Sequence, residues 1–291
     1  MNLKLIKKLC GLTRGQLQLM LIKYLKSKGY QDIVSTNMYL IAEGELPVCL
    51  LAHMDTVFPV PPRTFYYDSV QTTLWSPDGL GADDRAGIYT IISLIERGYK
   101  PSLIFTDLEE NGGIGADSLV KRFPECPFAE CKALIQLDRQ GEDDAVFYEC
   151  DNVAFEDLIE SYDFYFAYDT FTDISIIAPT WGVAAVNLSV GYEREHSCTE
   201  TLNMAWCHKT IDKVEKMLIE CGNWPSYAYI PSAKKIRWNF QNIWSNNHCY
   251  YCGQPIKDNE GVVIDETLLC DSCYNEYKDY LIPVDESPQD G

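Results

Sequence analysis

The sequence predicts an α/β fold: a mainly parallel mixed sheet with helices on both faces. Three observations carry that prediction. Short apolar runs alternate along the chain with amphipathic segments of helical length. The runs at 47–52, 103–105, 133–137 and 183–188 are nearly continuous in apolar residues, the pattern of strands covered on both faces. Each run leads into acidic or histidine residues, as expected at the carboxyl ends of the strands in an open α/β sheet, where ligands gather.

Taken in order, residues 12–28 place Leu17, Met20, Leu21, Tyr24 and Leu25 at helical spacing, with Thr13 as N-cap and Gly29 as the stop. Residues 33–35 and 38–42 read as a pair of short strands. The run 47–52, PVCLLA, is a buried strand that ends in His53-Met54-Asp55. The turn-rich stretch 59–76 contains a hairpin from 65–67 to 70–75. A glycine-flanked acidic turn, Asp78 to Gly87, then runs into a helix over 86–97. Leu103-Ile104-Phe105, bounded by Pro101 and Gly112-Gly113, is a strand ending at Glu109-Glu110. A helix over 114–123 follows, then a strand over 133–137 ending in Asp138-Arg139. Residues 145–148 are expected to pair antiparallel beside that strand, ahead of a helix over 153–161. From Thr172-Asp173 the chain leads to Gly182, a strand over 183–188, the polar segment Tyr192 to Ser197, and a long helix over 202–221 on the outside of the sheet.

At 291 residues the chain exceeds one typical domain, and 46% hydrophobic residues suffice for a sizeable core. A formal charge of −19, with no long basic stretch, repels phosphate backbones and argues against nucleic acid as a partner. No apolar run approaches the length of a membrane span. Lys4, Lys7 and Lys8 interrupt the N-terminal segment, so it does not read as a signal peptide, and a cytoplasmic location is expected. Eight of the twelve cysteines are scattered through apolar or helical contexts, where a free thiol behaves as a small hydrophobe. The last four are paired at short spacing, which fits a reducing compartment and a metal site.

The polar residues at the strand ends carry the chemistry. Glu109 and Glu110 repel one another, and burying both is costly unless a cation compensates. His53 and Asp55, two residues apart on extended backbone, present their side chains on one face. A metal-binding imidazole usually has its second nitrogen held by a carboxylate, a role open to Asp55. Asp83 and Asp84 at a helix start are explained in part by capping, although two aspartates and an arginine exceed what a cap needs. Singly, these read as a solvated loop, a structural histidine and a helix cap. Together they name His53, Asp83, Glu110, Asp138 and His196 as candidate metal ligands, using two of only four histidines.

In that order the segments HMDTV, GADDRAG, EENGGIGA, LDRQG and EREHSCTE resemble the co-catalytic zinc exopeptidases, the superfamily of peptidase T, the deblocking and glutamyl aminopeptidases and the leucyl aminopeptidases. The resemblance runs from about residue 12 to 221. It implies that His53 and Asp138 bind one zinc ion, that Glu110 and His196 bind the other, and that Asp83 bridges them, with Asp84 as the alternative bridge. It further implies Glu109 as general base and Asp55 as the residue that orients His53. Two zinc ions about 3.5–4 Å apart lower the pKa of a shared water and polarise a carbonyl. Cobalt or manganese are alternative metals. Several branches of the superfamily insert a lid or dimerisation domain between the first His and the bridging Asp, or between the third Asp and the last His. Here both intervals are too short for one, which leaves substrate specificity open. Tyr192 and Arg194 are weighed as carboxylate or oxyanion contacts against surface or packing roles.

Beyond a connector over 222–247, the pairs Cys249/Cys252 and Cys270/Cys273 are separated by 17 residues, spacing that suits a tetrahedral structural zinc ion. His248 is an alternative ligand. The segment 248–282 resembles zinc-ribbon and treble-clef modules, its folding tied to its metal. It serves either as a stabilising appendage or as a site for a protein partner. Residues 283–291 read as a disordered tail. The expected activity of domain 1–221 is hydrolysis of peptide or amide bonds, as an aminopeptidase or dipeptidase. The alternatives are an N-deacylase acting on acyl-amino acids and a catalytically silent binding protein that works through the zinc module.

Overall fold

The computed structural model describes residues 2–169 and 171–232, together with 256, 261–264, 267–271 and 275. The chain divides into two compact units, Met1–Ser232 and Ala233–Gly291.

The first unit opens with helix α1 (Leu3–Cys10), which the lysine-interrupted N-terminal sequence does not announce. Asn2 caps it through its side chain, and Ile6, Leu9 and Cys10 are buried. Helix α2 (Arg14–Ser27) begins at Thr13, whose hydroxyl and the Gln16 side chain form a reciprocal capping box. Strands β1 (Ile33–Ser35) and β2 (Tyr39–Ala42) pair antiparallel, followed by β3 (Leu46–His53). The expected hairpin is β4 (Tyr66–Asp68) with β5 (Thr73–Trp75). Helix α3 (Ala82–Glu96) starts four residues earlier than the sequence suggests, with non-helical backbone at Asp83 and Asp84. Then come β6 (Pro101–Thr106), α4 (Ile114–Arg122), β7 (Leu134–Arg139), β8 (Asp144–Val146), α5 (Val153–Glu160), β9 (Tyr165–Phe166) and α6 (Ile174–Trp181). Strands β10 (Ala185–Ser189), β11 (Tyr192–Glu193) and β12 (Thr201–Asn203) precede the long helix α7 (Met204–Glu220).

The main sheet has the order β1-β2-β6-β3-β7-β10-β8-β9. Its centre, β6-β3-β7-β10, is parallel throughout. Antiparallel pairs lie toward the margins, at β1/β2, β2/β6 and β8/β10. Strand β8 therefore pairs with β10 and not with β7 as the sequence suggested. A strand adjacent in sequence need not be adjacent in the sheet, and β10 fills the position beside β7 by a parallel connection. Alternate residues of each central strand face opposite layers. Leu50, Ala52, Leu103, Phe105, Ile135 and Leu137 join the core shared with α1, α2, α3, α5 and α7. Cys49, Leu51, Ile104 and Leu134 join the core beneath α4 and α6. A smaller antiparallel sheet, β11-β12-β5-β4, lies outside the main one in strand order.

Two glycines set how closely the helices approach. A Cβ on Gly87 of α3 would stand 1.9 Å from the carbonyl oxygen of Leu137 on β7, and one on Gly115 of α4 would stand 2.2 Å from that of Asp107. These contacts bring the starts of α3 and α4 against the carboxyl ends of β7 and β6.

Beyond α7 the chain does not leave the unit at once. Ala184 donates to the carbonyl of Tyr227, and Tyr229 donates to that of Gly182. Ser232 donates to the carbonyl of Glu149. The first unit thus runs on to Ser232 rather than stopping at 221. In the second unit the described residues include the antiparallel hairpin β13 (Val262–Ile264) and β14 (Thr267–Leu269), with Cys270 directly after it. His248, Cys249, Cys252 and Cys273 lie outside the described residues. Among the described residues no helix is long and apolar enough to cross a membrane.

Candidate metal centre

The carboxyl ends of the parallel strands assemble the site. His53 is the last residue of β3, Asp138 lies within β7, and Glu109 and Glu110 follow β6 on a turn. Asp83 stands at the start of α3, and His196 lies between β11 and β12. All five candidate ligands converge. His53 Nε2 lies 2.9 Å from Asp83 Oδ1 and 3.4 Å from Asp138 Oδ1. His196 Nε2 lies 3.1 Å from Asp83 Oδ2 and 2.8 Å from Glu110 Oε2. Two ligand sets result, His53/Asp83/Asp138 and Asp83/Glu110/His196, each with ligand atoms within 4.8 Å of one another. Asp83 belongs to both and offers one oxygen to each.

Asp84 is engaged elsewhere. It is fully buried, accepting from the backbone N–H of His53 at 3.1 Å and from that of Gly87 at 2.8 Å. It ties the end of β3 to the first turn of α3. Asp55 Oδ1 lies 3.2 Å from His53 Nδ1 and also accepts from the backbone N–H of Glu109, while Oδ2 accepts from that of Glu110. One carboxylate therefore orients both the imidazole and the di-glutamate turn.

Several supporting residues went unassigned in the sequence. Glu200 accepts from the backbone N–H of Gly81 at 2.6 Å and of Asp83 at 3.0 Å, fixing the loop that carries the shared aspartate. Gln136 and Thr172 donate to Asp138 Oδ2 at 2.9 and 3.1 Å. Asn187 accepts from the Asp138 backbone N–H and donates to its carbonyl. Tyr192, buried, places its hydroxyl 3.4 Å from Asp138 Oδ1. Asp173 is buried and accepts from the Thr106 hydroxyl. Arg194 is exposed and donates to Thr201 Oγ1. Glu200 falls within the segment EREHSCTE, Gln136 stands two residues before Asp138 on the same strand, and Tyr192 and Arg194 are residues the sequence already offers; Thr172, Asp173 and Asn187 are brought in by contacts between distant segments, which no local pattern reveals.

The electrostatics are those of a crowded anionic cluster. Burial opposes protonation of His53, but Asp138 and the contacts to Asp55 and Asp83 outweigh it and hold its pKa well above the ordinary value. Contacts to Asp83 and Glu110 push His196 up to about 11. Burial would raise Asp83, yet the two imidazoles outweigh it and hold it low. Burial pushes Glu109 up to about 9, with His53 opposing and Asp138 reinforcing. Burial likewise lifts Asp138 to about 6 and Asp173 and Glu200 to about 7. Glu110 Oε1 is buried without a protein partner. Concentrated carboxylates, imidazoles facing them and an orphaned buried oxygen together fit divalent cations. The cluster faces a cleft of about 300 Å³, whose wall includes Glu109, Tyr148, Asp169, Phe171 and Arg139. Arg139 donates to Asp169 at 2.7 Å.

No family model matches the chain, and no curated protein matches it in sequence. Solved structures share its fold. The aminopeptidase PepT of Bacillus cereus is 15% identical, with 75% of this chain and 97% of that chain covered and a TM-score of 0.62. A tripeptidase of Staphylococcus aureus is 14% identical over 76% of this chain and 98% of that one, with a TM-score of 0.63. The TET1 peptidase of Pyrococcus horikoshii, which can assemble into a tetrahedron or a large octahedral shell, is 15% identical over 75% and 99%, with a TM-score of 0.54. At these identities the likeness is one of fold. The predicted α/β class, a mainly parallel mixed sheet with helices on both faces, is the architecture observed.

Proposed function

We propose that this chain is a metal-dependent hydrolase of peptide bonds, acting as an aminopeptidase or dipeptidase on short substrates. The observation that carries this reading is Asp83, shared between two convergent ligand sets with the Glu109 carboxylate beside them and outside both. The fold held in common with an aminopeptidase and a tripeptidase supports it.

In this reading His53, Asp83 and Asp138 hold one divalent ion, and Asp83, Glu110 and His196 hold the other, with zinc the metal best suited to the donor set. When bound, the pair supplies Lewis acidity and a water of lowered pKa. The protein groups do the rest. Asp55 keeps His53 in the tautomer that presents Nε2 to the cluster. By holding the backbone of both glutamates, Asp55 also fixes their division of labour. Glu110 is committed to the cluster, and Glu109 faces the cleft with a carboxylate free to take a proton from the attacking water and return it to the leaving nitrogen. Burial and neighbouring carboxylates make Glu109 a strong proton acceptor, and cations at the cluster moderate that basicity.

The proposal includes a structural zinc ion on Cys249, Cys252, Cys270 and Cys273, serving a second module. Zinc-supplemented protein should then contain about three ions per chain. His196→Ala should lower the count through the co-catalytic pair, and Cys270→Ser should lower it through the module. Activity is tested on free-amine di- and tripeptides against the same peptides N-acylated. Turnover of the free-amine set supports the proposal. Turnover confined to acylated substrates would make the chain a deacylase, and no turnover with a loaded centre would make it a binding protein.

A further inference from the structure

A second cavity, of about 340 Å³, has Asp55 in its wall but shares no lining residue with the metal cleft. Its apolar side is built from Leu12, Phe58, Pro59, Pro61 and Pro62. Its polar side consists chiefly of donors. Arg85 is 2% exposed, and its Nη1 donates to the carbonyl oxygens of Met54 and Asp55. Its Nε is buried with no partner, as is Oγ1 of Thr56, another lining residue. The start of α2 completes the wall with Thr13, Arg14 and Gly15, and this first helical turn contains no acidic residue. The nearby carboxylates are already engaged. Both oxygens of Asp55 are taken by the Glu109 and Glu110 backbone and by His53, and Asp107 is paired with Arg14 at 2.9 Å.

A buried guanidinium N–H and a buried hydroxyl without acceptors are costly to leave so. Here they adjoin a helix N-terminus, where partial positive charge favours an anion. Phosphate or sulfate would match the donors but not the proline and phenylalanine surface. An apolar molecule would match the walls and leave both donors unpaired.

We propose that this cavity is a second binding site, for a small carboxylate with an aliphatic body. The carboxylate sits against the Arg85 guanidinium and the Thr56 side chain at the α2 N-terminus, and the hydrocarbon lies against Phe58 and the prolines. A free aliphatic acid and the C-terminal carboxylate of a peptide share this chemistry. The proposal does not depend on the peptidase reading, since its site contains none of the candidate metal ligands.

The test is a ligand-observed NMR titration of the full, zinc-supplemented chain with 4-methylpentanoate, its amide 4-methylpentanamide and N-acetyl-leucine. Saturable binding of the acid with a Kd on the order of 1 mM or tighter is expected, with the amide at least about tenfold weaker. Gly15→Glu sets a competing carboxylate in the first turn of α2, where a Cβ meets nothing within 4 Å. That variant and the near-isosteric Thr56→Val should each weaken the acid about tenfold. His196→Ala, which disables the metal cluster, should leave its Kd unchanged. N-acetyl-leucine binding more tightly than the plain acid would identify a peptide C-terminus as the natural occupant, and weaker binding a free acid. The proposal is overturned if the acid shows no saturable binding, if the amide binds as well, if neither cavity variant weakens the acid, or if His196→Ala abolishes binding.

Discussion

Asp55 lies 3.2 Å from His53 Nδ1 through an oxygen that simultaneously accepts from the backbone of Glu109. The imidazole of one ligand set and the turn carrying the proposed base are therefore held by a single atom. Asp55→Asn retains one acceptor oxygen but must present an amide group to one of these partners. We expect it to lower zinc affinity about 10- to 100-fold, the usual range when the orienting partner of a metal-bound histidine is lost. Zinc competition against a chelating dye measures this directly. Unchanged affinity would reduce Asp55 to a loop anchor.

Glu109→Gln separates proton transfer from metal binding. The substitution keeps shape and removes the base, so turnover should fall about 10²- to 10⁴-fold while zinc content stays level. It also yields a pH test of burial. The Glu109 pKa is raised from 4.5 to about 9, so in chelator the folded chain holds a proton that the unfolded chain releases. Glu109 then contributes nothing to the pH dependence of stability below about 4.5 and increasingly destabilises the fold as pH rises from there toward 9. Denaturant melts in chelator should show a decline over that window that is shallower in Glu109→Gln. Identical slopes would mean that Glu109 is solvated in the folded protein.

Metal binding should release protons. Contacts with Asp83 and Glu110 raise His196 to about 11, and Asp138 with its neighbours holds His53 high, so both imidazoles are protonated at neutral pH until a cation displaces the proton. Calorimetric titrations of zinc in buffers of different ionisation enthalpy should count at least two protons released per filled pair, those of the imidazoles with Glu109 adding to them, and apparent affinity should rise with pH. A binding enthalpy independent of buffer would contradict the protonated cluster.

Much of this was legible in the sequence because the central strands are apolar throughout and end in unmistakable polar residues. His53, Asp138 and Glu110 could be placed at strand ends from local pattern alone. Helix α1 escaped notice because lysines on its exposed side break up the apolar residues that bury Ile6 and Leu9. Strand β8 was assigned the wrong neighbour because three residues do not encode whether β7 or β10 lies alongside. Thr172 and Asn187 reach Asp138 across 34 and 49 residues of sequence, and Asp173 reaches Thr106 across 67, beyond any motif. The cysteine pairs read clearly as a zinc signature, but three of the four lie outside the described residues.

The close approach of α3 to β7 predicts a cost for the smallest of substitutions. A Cβ on Gly87 would stand 1.9 Å from the Leu137 carbonyl and 2.6 Å from both Asp84 oxygens. Backbone must move to admit it, and overpacking of this kind costs about 1–3 kcal/mol or more. Gly87→Ala should therefore lower the denaturation midpoint clearly and weaken zinc binding as well, since α3 carries Asp83. The same substitution at Gly15, where nothing lies within 4 Å, should leave zinc binding unchanged and cost no stability.

The adjacent aspartates of α3 allow the sharpest comparison, because sequence alone left both as candidates for the shared ligand. Asp83 directs one oxygen to each histidine, whereas both Asp84 oxygens accept backbone N–H groups. Asp83→Ala should abolish binding at the zinc pair while easing the crowding of buried carboxylates, so chelator-treated protein should keep its stability. Asp84→Ala leaves two buried donors without acceptors, at about 1–3 kcal/mol each, and should destabilise the chain with or without metal. Burial and Asp138 hold the Asp84 pKa well above the ordinary carboxylate range. Asp84→Asn keeps one acceptor oxygen but sets its amide group against the other backbone N–H, so it should recover only part of what Asp84→Ala loses. Zinc stoichiometry and denaturant melts on the three variants distinguish the roles, and loss of zinc with retained stability in Asp84→Ala would transfer the bridging role to Asp84.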